Sequence, residues 1–132
     1  MAVALAIITN KRNEVLLQHR DGNAPTNPNK WGLWGGGIEK GESPEVALVR
    51  ELKEELDIDV GVDQLEFLRV HRGNYFGGNW EGHIFHLLDE GGFRYNLQEG
   101  DDLKFVPRGQ FDSFDIDSIA RPILDDYFQN LS

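Results

Sequence analysis

Four glutamates, Glu42, Glu51, Glu54 and Glu55, crowd one short stretch with a single arginine, Arg50, just after the glycine run Gly35 to Gly37. Carboxylates this dense repel one another unless something positive sits among them. Hard oxygen donors in this number suit Mg2+ or Mn2+, which bind a few carboxylates and complete their shell with water and substrate phosphate. A cation held beside a glycine loop points to phosphate chemistry. The solvated face of an ordinary amphipathic helix has the same composition, so spacing has to separate the two.

A helix is the element that can gather these side chains. Ser43 is a good N-cap, and Pro44 suits the first helical position, where its missing N–H costs nothing. From there the pattern predicts a helix to about Leu56, with Leu48, Val49, Leu52 and Leu56 as the buried stripe. Glu51, Glu54 and Glu55 stand at i, i+3 and i+4 and share a neighbouring arc, on which small Ala47 leaves room for a ligand. Arg50 lies four residues before Glu54, within reach for an ion pair.

The spacing runs Gly36, five residues, Glu42, seven residues, Arg50-Glu51-Leu52, one residue, Glu54-Glu55, one residue, Asp57-Ile58. This resembles the Nudix box, and six fixed residues plus two apolar positions match by chance about once in 10⁸ start points. Asp57 departs from the pattern, standing where the family usually has glycine. Aspartate tolerates the left-handed conformation better than most residues, so the helix end is expected to survive at some cost. A smaller departure is Trp34-Gly35-Gly36 in place of Pro-Gly-Gly, read as a change in packing or substrate contact.

The resemblance implies Mg2+- or Mn2+-dependent hydrolysis of a phosphoanhydride in a nucleoside diphosphate-X or nucleoside triphosphate. It implies Glu51, Glu54 and Glu55 as metal ligands, with Glu55 also orienting the water. Arg50 would anchor the carboxylates, Glu42 would ligate or support, and Gly36 and Gly37 would bring backbone close to helix and substrate. Glu99, six residues before Phe105, fits a further ligand or base of the MutT-like branch; a solvated loop carboxylate is the alternative. Arg20 fits a cation facing substrate phosphate, against a surface salt bridge. The segment His71 to Trp80 is expected to be a substrate loop, with Tyr75 and Trp80 stacking on a base or else packing as core. A non-catalytic nucleotide sensor or partner module is the competing function. Such modules are expected to lose a ligand glutamate or Arg50, and this chain keeps them all.

The surrounding elements follow from periodicity and turn residues. Strands are predicted at Ala2 to Ile8, Glu14 to His19, Trp31 to Trp34, Leu65 to His71, Gly82 to Leu88 and Lys104 to Val106. Ser118 is expected to cap a final helix whose stripe is Ile119, Ile123, Leu124, Tyr127 and Phe128. Strands broken by two helices suggest a mixed sheet between helical layers. The resemblance implies the same α/β/α sandwich. His19, His71, His83 and His86 show no metal-ligand spacing and are read as structural, with His83 and His86 on opposite faces of one strand.

Composition sets outer bounds. A chain of 132 residues with 39% apolar content fits a single α/β domain over 1–132. The net charge of −10 argues against non-specific nucleic-acid binding, though not against a nucleotide held through a metal. No stretch has membrane-spanning length, and the N-terminal AVALAII run lacks a charged leader, so a cytoplasmic protein is expected. Absent cysteine rules out disulfides and thiol catalysis. A small-molecule nucleotide is the expected partner, and a homodimer is left open. A P-loop fails because Lys40 precedes Gly41, a dinucleotide fingerprint lacks its third glycine, and no EF-hand loop is present.

Overall fold

The computed structural model describes residues 1–131. Seven strands form one mixed sheet: β1 (Ala2–Thr9), β2 (Val15–His19), β3 (Trp31–Gly32), β4 (Trp34–Gly37), β5 (Glu66–Tyr75), β6 (Gly78–Leu88) and β7 (Asp102–Val106). The main order is β3-β2-β1-β6-β5, with β4 paired to β1 and β7 to β2. Only β1 and β6 run parallel among these pairs. Helices α1 (Pro44–Leu56) and α2 (Ala120–Gln129) cover opposite faces.

The alternation of β1 explains the layering. Val3 and Ile7 pack in the α2-side core, whereas Ala4, Ala6 and Ile8 pack under α1. A strand buried on both faces reads as a continuous apolar run, which is what AVALAII is. Leu48, Leu52 and Leu56 are fully buried in the α1-side core. Each such leucine contributes about 1.5–3 kcal/mol by leaving water. Ala47 is also fully buried there, so it is core and leaves no room for a ligand; Val49, expected in the stripe, is only half-buried.

Both ends of α1 behave as their residues dictate. The Ser43 hydroxyl accepts from the Val46 N–H at 3.2 Å, with Pro44 opening the helix. Asp57 adopts φ 56°, ψ 39° and its N–H donates to the Lys53 carbonyl. The Asp57 carboxylate also meets Lys53 Nζ at 2.9 Å, a tie that glycine could not make.

Three expectations are corrected. The predicted strand Trp31 to Trp34 is two strands, β3 pairing with β2 and β4 with β1, broken at Leu33. The segment His71 to Trp80, expected to be a substrate loop, is mostly a hairpin joining β5 to β6. Its two turn residues, Phe76 and Gly77, both have positive φ, the geometry that a two-residue turn between twisted strands requires. Glycine and asparagine within it hide the strand from propensity, but the turn enforces pairing. Finally, Asp117 caps α2 in place of Ser118: its Oδ1 accepts the Ile119 and Ala120 N–H groups at 3.0 and 2.7 Å. Among the described residues no helix is long and apolar enough to cross a membrane.

Candidate active site

Strand β4, helix α1 and the loop 96–101 meet at one end of the sheet and form the wall of a cavity of about 370 Å³. Gly35, Gly36 and Gly37 line it beside Glu51 and Glu55, with Glu99 from the loop. The strained backbone belongs to Gly35, at φ +130°, where a Cβ would lie 2.0 Å from the Ala4 carbonyl oxygen. At Gly36 a Cβ would meet the Glu51 carboxylate at 2.7–2.8 Å, so the missing side chain lets that carboxylate lie on the strand. Gly37 is different: a Cβ there would meet nothing within 4 Å, so the close approach of backbone to helix expected of it does not require glycine.

The glutamates divide by environment. Glu55 is 3% exposed, and its Oε1 accepts the Gly35 N–H at 2.8 Å. Burial, followed by the facing Glu99 and Glu51 carboxylates, pushes its pKa up to about 9. Glu51 is raised by burial too, with Arg50 opposing. Glu54, predicted on the same arc, instead has a side chain 58% exposed, leans toward Arg50 at 3.4 Å and does not line the cavity. A helix rotates 100° per residue, so one position separates a buried carboxylate from a solvated one.

Arg50 is the positive group among these carboxylates. Its Nε and Nη2 donate to Glu42 at 2.8 and 2.9 Å, its Nη1 to Glu51 at 3.0 Å, and Nη2 also to the Gly37 carbonyl at 3.0 Å. The bidentate grip holds Glu42 down to a pKa of about 2, helped by the Glu39 N–H. Glu42 therefore faces Arg50 and lies off the cavity wall, an arrangement of support more than of ligation. Among the described residues no three His, Asp or Glu side chains are already gathered around one point. Two of the glutamates are held by the Arg50 fork, Glu51 at 3.0 Å and Glu54 at 3.4 Å.

The chemistry of the donor set nevertheless fits a divalent cation. Glu55 is a buried carboxylate with no cationic side chain bonded to it, facing two further carboxylates across a cavity open to solvent. Only a positive ion or a proton satisfies that arrangement.

Arg20 lines the cavity, its Nε donating to the Thr26 carbonyl at 2.8 Å and Nη2 to the Thr26 hydroxyl at 3.2 Å. No carboxylate pairs with it among the described residues, which removes the surface salt bridge expected as its alternative. Trp80, 6% exposed, lines the cavity from the α2-side core, and so does the turn residue Phe76. Tyr75 does not. It packs edge-on against Trp80 at 5.3 Å, and its hydroxyl meets His71 Nε2 at 3.0 Å. Phe76 has left the strand for the turn, so its ring takes a different direction from that of Tyr75.

Asp117, also on the wall, escaped the sequence reading. It is 7% exposed, and burial raises its pKa against the pull of the two N–H groups it caps. The signal was present: an aspartate before an apolar-periodic run is as good a cap as the serine beside it. The four histidines hold structural partners, such as Thr9 for His86 at 2.7 Å and Asp101 for His19 at 2.5 Å.

The family model described as NUDIX domain matches residues 1–127. The chain is 45% identical over 58 residues to an 8-oxo-dGTP diphosphatase of Escherichia coli (strain K12), which covers 44% of each chain. It is 35% identical over 92 residues to a CTP pyrophosphohydrolase of the same organism, covering 67% of this chain and 64% of that one. The match thus spans roughly half the length of these curated relatives. In fold it is similar to a MutT protein from Methanosarcina mazei Go1, with a TM-score of 0.83 at 21% identity, covering 98% of this chain and 93% of that chain. The NUDIX domain of Shewanella oneidensis NrtR, complexed with ADP ribose, gives 0.81 at 20% identity, covering 100% and 88%.

Proposed function

The chain belongs to the NUDIX domain family, and on that premise we propose that it is a Mg2+- or Mn2+-dependent pyrophosphohydrolase acting on a nucleoside triphosphate or nucleoside diphosphate-X. The observation that carries the reading is Glu55, a buried carboxylate without a cationic partner, facing Glu51 and Glu99 on the wall of an open cavity. The similarity to an 8-oxo-dGTP diphosphatase and to a CTP pyrophosphohydrolase supports a triphosphate substrate.

Glu51, Glu55 and Glu99 would hold the cation, with Glu54 joining by turning from Arg50. Once bound, the cation neutralises phosphate charge and lowers the pKa of a coordinated water. The chain supplies the rest. Arg50, fixed by Glu42, holds Glu51 in place and keeps the acidic cluster from repelling itself apart. Glu55, fixed by the Gly35 N–H, orients the attacking water, and Glu99 takes its proton as the water oxygen bonds to phosphorus. The bond to the bridging oxygen breaks, and that oxygen leaves on a phosphate. Arg20 meets the substrate's phosphate charge. Trp80 and Phe76 offer apolar surface to the base, and Asp117 an acceptor for its N–H edge.

The test is product release from a panel of nucleoside triphosphates, nucleotide sugars and dinucleoside polyphosphates with Mg2+, for wild type and Glu55→Gln. Cleavage of one class, falling about 10²–10⁴-fold in the variant, is expected. No cleavage of any member alongside measurable binding would favour the non-catalytic sensor. Activity unchanged in Glu55→Gln would overturn the site assignment.

A further inference from the structure

The loop that carries Glu99 has no regular secondary structure, yet it is tied down along its length. The Asn96 and Gln98 N–H groups donate to the Leu56 and Glu55 carbonyls at 2.9 and 2.8 Å, and the Asp101 N–H to the His19 carbonyl at 3.0 Å. One tie is made by a side chain: Gln18 Nε2 donates to the carbonyl of Glu99 itself at 2.9 Å.

Gln18 is 1% exposed and lies on the same face of β2 as the fully buried Leu16. An apolar side chain would fill that position without burying a polar group. The glutamine carries a cost as well, because its Oε1 has no hydrogen-bond partner among the described residues. A buried acceptor left unpaired is disfavoured, and its retention asks for a reason. The donor on the same amide supplies one. Packing beside it is equally close: Gly100 has φ +85°, and a Cβ there would lie 2.6 Å from the His19 carbonyl oxygen and 3.1 Å from Gln18.

We propose that Gln18 is a positioning residue, which grips the Glu99 backbone from strand β2 and so sets the Glu99 carboxylate against Glu55. Its consequence for turnover rests on the hydrolase reading above; the grip itself rests on the hydrogen bond. Glu99 is exposed and precedes a glycine, so without the tie its carboxylate samples many placements, and a displacement of about 1 Å is costly for positioned catalysis.

The test is a double-mutant cycle of Gln18→Met, which keeps length and volume but has no donor, with Glu99→Gln. Two quantities are read for each protein: kcat and KM on the preferred nucleotide, and Mn2+ affinity from the free-ion electron paramagnetic resonance signal. Gln18→Met is expected to lower kcat and Mn2+ affinity about 10-fold each, with KM little changed and the thermal midpoint near that of wild type. Added to Glu99→Gln, it should cost nothing more, because it acts through that residue. Unchanged kcat and Mn2+ affinity in folded Gln18→Met would overturn the proposal, as would full additivity with Glu99→Gln. If Gln18→Met does not fold, Gln18→Asn, which keeps the amide but shortens its reach, faces the same criteria. If wild type cleaves no nucleotide, the hydrolase reading fails, and the Mn2+ cycle alone decides this one.

Discussion

Arg50 and Glu42 meet side by side through two hydrogen bonds, Nε to Oε2 at 2.8 Å and Nη2 to Oε1 at 2.9 Å. The pair spans the loop before α1 and the middle of that helix, so it fixes both together. It also leaves Nη1 free to hold Glu51 at 3.0 Å. A point charge cannot copy this fork. Arg50→Lys is therefore expected to fold normally by circular dichroism while kcat falls about 10–100-fold. Wild-type turnover in Arg50→Lys would show that charge alone suffices.

The Glu51 carboxylate lies too close to residue 36 to leave room for a Cβ there. Gly36→Ala must push that carboxylate aside, since its atoms stand only 2.7–2.8 Å from the added methyl. We expect weaker Mn2+ binding by about 10-fold, measured by titration, with the midpoint of thermal unfolding lowered modestly. The same substitution at Gly37, which has open space, should leave Mn2+ binding unaffected. Equal effects at both positions would contradict the contact.

Asp117 both caps α2 and lines the cavity. Asp117→Ala removes two hydrogen bonds to backbone N–H groups and should cost about 0.5–2 kcal/mol, seen as a fall of roughly 2–6 °C in Tm. Asp117→Asn keeps a capping oxygen but changes the edge shown to substrate. It should hold most of the stability and shift preference among the nucleotide panel, read as a change in relative kcat/KM. Asparagine with an unaltered substrate ranking would place Asp117 in the cap alone.

His86 gives the stability a pH dependence. Burial lowers its pKa below the ordinary imidazole value, against the opposing Glu66, while Thr9 and Tyr127 pack on the ring. The folded state thus binds the proton less readily than the unfolded chain. Its contribution is fully present above an unfolded pKa of about 6.5 and is lost as pH falls through the lower folded value. His71, lowered chiefly by burial, acts in the same direction. Glu55, whose folded pKa is raised to about 9, works the other way over the same window, so the readout is the difference in Tm between proteins as pH is taken from about 7.5 to about 5, around the imidazole value. His86→Gln, which can still reach Thr9, lacks the His86 part, so its Tm should rise relative to that of wild type as pH falls. An identical slope in the variant would exclude His86 as a source.

Much of the site was legible in the chain because its parts are local. Ser43, Pro44 and the leucines at 48, 52 and 56 specify α1 by capping and periodicity, and the helix then carries Arg50, Glu51 and Glu55 at fixed offsets. Even the departure at Asp57 could be read, since a single residue's tolerance of positive φ is a local property. The two-sided burial of β1 follows from an apolar run too continuous for a half-exposed strand.

What the chain could not reveal is what lies opposite each face. Glu54 and Glu55 are adjacent and chemically identical, yet one is solvated and the other buried, because β4 packs on only one of them. Tyr75, expected against a base, packs on Trp80 instead, and Phe76 reaches the cavity, once a two-residue turn pairs β5 with β6. Gln18 meets the Glu99 backbone, and Glu99 shares a cavity with Asp117, from positions spread over most of the sequence. Caps, helix period and metal-type donors are set by residues a few positions apart, so sequence alone determines them. The partner of a carboxylate, and with it whether that group is held by arginine, by backbone or by neither, is decided only when distant strands close on one another.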